Sequence, residues 1–117
     1  VTLDESRLPD AAARKSEEAA AIRRARAGRL VLLDERGRSM SSTDFATLLG
    51  RWKDASEEAA TLVIGGPDGL DPALRPEADL VLSFGALTWP HQLVRIMALE
   101  QIYRAVTILA GHPYHRA

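Results

Sequence analysis

Six residues near the end of the chain, Gly111-His112-Pro113-Tyr114-His115-Arg116, gather two histidines, a tyrosine and an arginine. Their chemistry suits a nucleotide: arginine pairs with phosphate, tyrosine stacks on a base, and histidine moves a proton near neutral pH. The two histidines lack a neighbouring carboxylate or cysteine to complete a ligand set, so we expect no metal site. The plain alternative is a solvated chain end with no role.

Two further stretches combine glycine with strand exits. Gly65-Gly66-Pro67-Asp68-Gly69 places three glycines in five residues directly after Thr61-Leu62-Val63-Ile64. Glycine admits positive φ and lets a ligand approach the backbone, so this is either a cofactor loop or a tight turn. No Gly-Lys-Ser/Thr follows, and the spacing is not that of a dinucleotide fingerprint. Gly85-Ala86-Leu87-Thr88-Trp89-Pro90 is the second stretch, where Trp89 either packs in the core or walls a pocket. His91 after it reads most simply as the first residue of a helix. Arg95, Glu100 and Arg104 are the charges on an otherwise apolar segment; Glu100 and Arg104, four apart, fit an intrahelical ion pair.

The elements that must position these residues alternate between strand and helix. Val1–Leu3 reads as the tail of a strand. Asp10 caps a polar, alanine-rich helix that Gly28 stops. Leu30–Leu33 is a continuous apolar run, as in a strand buried on both faces, and Glu35–Arg38 follows as a polar turn. Ser41 or Ser42 caps a helix whose Phe45, Leu48, Leu49 and Trp52 recur at helical spacing. Thr61–Ile64 is a second buried strand, Pro72–Arg75 a short helical turn, and Leu80–Phe84 a third strand. A long helix from His91 to Ala110, apolar on most sides, closes the order and is expected to be buried. Such alternation predicts an α/β fold with a parallel sheet, whose ligands bind outside the carboxyl ends of the strands. The site is therefore expected at the exits after Leu33, Ile64 and Phe84.

Composition narrows the function classes. The chain has 117 residues, the length of one domain (1–117), with 26% charged residues and a net charge of −1. Its lack of cysteine excludes disulfides and thiolate chemistry. No apolar run approaches the roughly 18 residues of a membrane span, and the start lacks the features of a signal peptide. A nucleic-acid partner would have to be met by local charge, by a second subunit or by shape, since no global basic excess exists.

The order of the motifs is more specific than any one of them. IGGPDGL, then SFGALTWPHQLVR, then EQIYRA, then HPYHR resembles the RlmH family of SPOUT-class methyltransferases, which methylate N3 of a pseudouridine in large-subunit ribosomal RNA. The likeness runs from about Leu30 to the C-terminus, and the LDESRLPDAAARKSEEAAA segment also fits. It implies a SPOUT-type trefoil-knotted parallel sheet with flanking helices, with the family's first strand and helix expected ahead of Val1 and missing here. It further implies S-adenosylmethionine as cofactor, ribosomal RNA on the ribosome as substrate, a homodimer, a cytoplasmic location, and no DNA or membrane partner. By motif, the cofactor residues are Leu33, Gly65, Phe84, Gly85, Ala86, Leu87, Thr88 and Trp89. Tyr114, His115 and Arg116 are expected at the target base, with His115 as the base that takes the N3 proton and Asp68 as a weaker candidate. The alternatives are a SPOUT methyltransferase for another RNA, or a catalytically silent knotted dimer that binds RNA or assists assembly.

Overall fold

The computed structural model describes residues 10–56, 59–65, 69–85, 87 and 89–111. Its elements run α1 (Ala11–Ala25), β1 (Arg29–Arg38), α2 (Ser42–Asp54), β2 (Ala60–Ile64), a 3-10 helix (Pro72–Glu77), β3 (Leu80–Leu82) and α3 (His91–Leu109). Among the described residues the sheet has three parallel strands in the order β2-β1-β3. The expected parallel α/β architecture is thus present. The strand read at Val1–Leu3 lies outside the described residues.

The apolar run at the start of β1 works because its side chains alternate between two layers. Val31 and Leu33 join Phe45, Ala46, Trp52, Leu82, Ala98 and Ala105 beneath α2 and α3. Leu30 and Leu32 join Ala19, Ile22 and Leu74 beneath α1 and the 3-10 helix. A strand between two helical layers has no wet face, hence no polar residue from Leu30 to Leu33. β2 departs from the expectation of a buried strand: its residues are half-buried or exposed, because no strand among the described residues covers its outer edge.

The helix starts follow their caps. Asp10 Oδ2 accepts the Ala13 amide at 3.3 Å and Ser41 Oγ accepts that of Asp44 at 3.0 Å. α1 ends at Ala25, short of the expected stop at Gly28. Gly28 instead makes the turn into β1 at φ +66°, where a Cβ would lie 1.9 Å from the Ala59 carbonyl oxygen. Only glycine fits there.

Two further differences concern the elements beside the site. The turn expected at Glu35–Arg38 is an extension of β1 that comes back to β3: Leu33 and Arg38 both stand opposite Leu82. The long α3 is only partly covered. Ala98, Ala105 and Thr107 are buried, whereas Leu93, Ile96, Leu99, Tyr103, Val106 and Leu109 remain exposed within the protomer. Its apolar character therefore exceeds what this protomer's core uses.

Asp79 ties the sheet's entrance together. Its carboxylate accepts the Leu30 amide at 2.8 Å and Arg29 Nη1 at 3.0 Å, with Arg26 Nη2 at 3.9 Å. Partial burial alone would raise its pKa, but the Leu30 amide and the Arg29 guanidinium outweigh it and hold the carboxyl below its ordinary 3.8. The folded pKa lies under the unfolded one, so this contribution is complete above about pH 4 and is lost as pH falls through the folded value. Asp79→Asn is expected to cost about 1–2 kcal/mol at pH 7. Urea unfolding should show wild type and variant converging as pH falls below about 4; a gap independent of pH would remove the charge from this account.

Candidate active site

Register places the strand exits side by side. Leu33 on β1 stands opposite both Ile64 on β2 and Leu82 on β3. Gly65 and Ser83 therefore leave the sheet at one level, where β1 runs on from Asp34 as an overhang, on the carboxyl edge where ligands of parallel α/β sheets bind.

Each exit has its own local reason. Leu33 is buried in the core at 6% exposure, so at this edge it offers backbone rather than side chain. Asp34 follows it; its Oδ1 accepts the Arg36 amide at 2.9 Å and its Oδ2 meets Arg75 Nη2 at 3.2 Å. That second contact fastens the first exit to the 3-10 helix beyond the glycine loop. At Gly65 a Cβ would lie 3.1 Å from Leu70 Cγ and 3.3 Å from the Leu70 amide nitrogen, so Leu70 stands close beside it. Gly69, just before Leu70, is at φ +80°. Gly85 is at φ +116°, with nothing within 4 Å of where a Cβ would project, so it presents bare backbone to open space.

A cleft of about 320 Å³ opens beside Gly85. Ser39–Ser41 from the β1–α2 loop and Ser42 at the start of α2 form one side; Phe84, Gly85, Met97 and Gln101 form the other. Ser42 Oγ donates to Gln101 Oε1 at 2.8 Å, so the loop is tied to the middle of α3. Gln101 Nε2 donates to Glu100, and Glu100 Oε1 accepts Arg104 Nη2 at 2.7 Å, the ion pair expected from the spacing.

Of the residues singled out by sequence, the structure brings Leu33, Gly65, Phe84 and Gly85 to one edge. Phe84 and Gly85 line the cleft; Leu33 and Gly65 do not. Leu87 is 70% exposed and Trp89 38%, so Trp89 is not a core residue of the protomer. Ala86, Thr88, Asp68, Tyr114, His115 and Arg116 lie outside the described residues. Sequence reading missed the cleft's other wall. Ser39, Ser41 and Ser42 were visible as a serine cluster behind a strand, but only their capping role was legible. Gln101 carried no signal, since its contact is with a residue far away in the chain. Among the described residues no three histidine, cysteine or acidic side chains converge as a metal would need.

The cleft combines the backbone of Gly85 with apolar walls from Phe84 and Met97 and with serine hydroxyls, the mixture of apolar lining and few polar groups typical of small-molecule sites.

Comparison with known proteins agrees with this geometry. Residues 2–115 match the family described as "Predicted SPOUT methyltransferase". The chain is 63% identical over 117 residues to Ribosomal RNA large subunit methyltransferase H of Rhodopseudomonas palustris (strain HaA2), covering 98% of this chain and 73% of that protein. It is 60% identical over 117 residues to the protein of the same name from Bradyrhizobium sp. (strain BTAi1), covering 98% and 73%. For the one from Sinorhizobium fredii (strain NGR234) the identity is 57% over 119 residues, covering 100% and 74%. With its strand exits level at one sheet edge and a family match along nearly its whole length, the chain belongs to the SPOUT methyltransferases.

Proposed function

We propose that this protein is an S-adenosylmethionine-dependent methyltransferase that methylates N3 of a pseudouridine in large-subunit ribosomal RNA, acting as a cytoplasmic homodimer. The observation that carries the reading is the level register of Leu33, Ile64 and Leu82, which sets three motif-bearing loops around one edge. The reading takes the family's knotted topology with it, and treats residues 1–117 as one domain.

The bound cofactor supplies an electrophilic methyl group on its sulfonium. The protein's task is orientation and proton removal. The backbone at Leu33, Gly65 and Gly85, with Phe84 and the Ala86–Trp89 stretch, would hold the cofactor. The N3 of pseudouridine carries a proton that must leave for its lone pair to attack. His115 is the assigned acceptor, because an imidazole is the side chain suited to taking a proton near neutral pH. Arg116 would balance negative charge on the base or hold a phosphate, and Tyr114 would stack.

The dimer rests on α3. Leu93, Ile96, Leu99, Tyr103 and Val106 recur at three- and four-residue intervals, forming one exposed apolar stripe that continues from Trp89. A stripe of that length on water is a mark of an interface. A second subunit covers it and enlarges the surface available to RNA.

Two measurements test the reading. Incubation with labelled cofactor and ribosomes lacking the modification should place label on one large-subunit pseudouridine. Label on another RNA would replace the substrate, and no label despite cofactor binding would favour a silent RNA-binding dimer. Calorimetric titration should show that Gly65→Val abolishes S-adenosylmethionine binding while the protein stays folded, since a valine there must displace Leu70 and reshape the loop. Wild-type affinity in that variant would exclude the glycine loop from the site.

A further inference from the structure

The overhang of β1 is locked onto β3 at a single residue. Gly37 lies so close to β3 that a Cβ would sit 2.7 Å from the Val81 carbonyl oxygen. This brings the Arg38 carbonyl to the Ser83 amide, which donates to it at 3.0 Å. The Ser83 side chain then faces two loops at once. Its Oγ accepts the Gly85 amide at 3.0 Å, and lies 3.1 Å from the Glu35 carbonyl oxygen and 3.0 Å from that of Gly85.

A hydroxyl has one proton and two acceptor sites. The proton therefore serves either Glu35, bridging the first loop to the third, or Gly85, closing the third loop on itself. In both states the oxygen holds the Gly85 amide. Ser83 is 8% exposed, so water competes weakly for these bonds. Gly85 needs such an anchor because it sits at φ +116° with no side chain and no neighbour over its Cβ position.

We propose that Ser83 is a positioning residue for cofactor binding: its hydroxyl fixes the Gly85 peptide against the β1 overhang and so presets the loop that receives the cofactor. Ser83 acts through Gly85 and touches no reacting atom. The role rests on the cofactor reading above, and the experiment separates the two.

Calorimetry with S-adenosylhomocysteine on wild type, Ser83→Ala and Ser83→Thr provides the affinity. Ser83→Ala should bind about tenfold more weakly, the size of a lost buried hydrogen bond with its partner left unsatisfied. Its melting temperature should change by only a few degrees. Amide exchange should quicken at Gly85 and Leu87 while Val31 and Leu62 keep their protection. Ser83→Thr, which retains the hydroxyl, should recover affinity to within a few-fold; if its added methyl disrupts folding, the exchange pattern of Ser83→Ala decides alone. Unchanged affinity in Ser83→Ala, or protection lost evenly across the sheet, would overturn the positioning role and leave the cofactor reading intact. Failure of the wild type to bind S-adenosylhomocysteine would overturn both.

Discussion

Removal of Tyr114–Ala117 is expected to lower methyl transfer by at least ~100-fold while cofactor affinity stays within a few-fold, the signature of lost acid–base and substrate groups rather than a lost pocket. Geometry separates the two functions. The cleft meets α3 at Met97 and Gln101, and the helix runs on to Leu109, roughly 12 Å further, before the tail starts. Gly111 then turns it at φ +69°. The tail is expected to serve the partner subunit's site. His115→Ala alone should show much of the loss, with activity rising at higher pH as the substrate gives up its own N3 proton. Arg116→Ala should instead weaken RNA binding in a manner that steepens with salt. Verified heterodimers pairing a tail-deleted subunit with a Gly65→Val subunit should regain activity that neither parent has. Silence in those heterodimers would mean that each site uses its own tail.

The double substitution Ile96→Glu with Leu99→Glu is expected to weaken dimerisation by at least ~1,000-fold, leaving folded, inactive monomers at micromolar concentration. Both side chains are about 60% exposed within the protomer, so their loss leaves the core intact. In a two-fold dimer each change counts twice. Four large apolar groups at about 2 kcal/mol each, even heavily discounted, exceed the roughly 4 kcal/mol that a thousandfold change requires. Burying the new carboxylates adds a further cost. Light scattering and far-UV circular dichroism would check both halves: helical monomers are the expected result, whereas persistent dimers would move the interface off α3.

The parts of this fold that were legible in the sequence are those set by local periodicity and capping. Phe45, Leu48, Leu49 and Trp52 point into the core as their spacing required, and Asp10 and Ser41 cap where their chemistry allowed. What escaped depends on contacts distant in the chain. The return of β1 onto β3 requires Gly37 to meet Val81, and a glycine between arginines otherwise looks like a turn. The apolar density of α3 was legible, but not whether its own protomer would cover it. Three of the site's loops could be named from strand ends and glycines. The Ser39–Ser42 wall and Gln101 could not, because serines near a helix start already have a sufficient local explanation in capping.

The strand order carries a cost during synthesis. β1 is central, yet both of its neighbours lie downstream: Arg29 waits for Ala60, and Val31 waits for Leu80. No hairpin forms early to shelter the Leu30–Leu33 run. At ~5–20 residues per second, the most apolar strand of the sheet is out of the ribosome for several seconds before its second partner has followed it. Parallel pairings of this kind close slowly even once all the strands exist. Leu30–Leu33 is therefore a segment of the nascent chain that holdase chaperones should bind, and where crowded expression should drive aggregation.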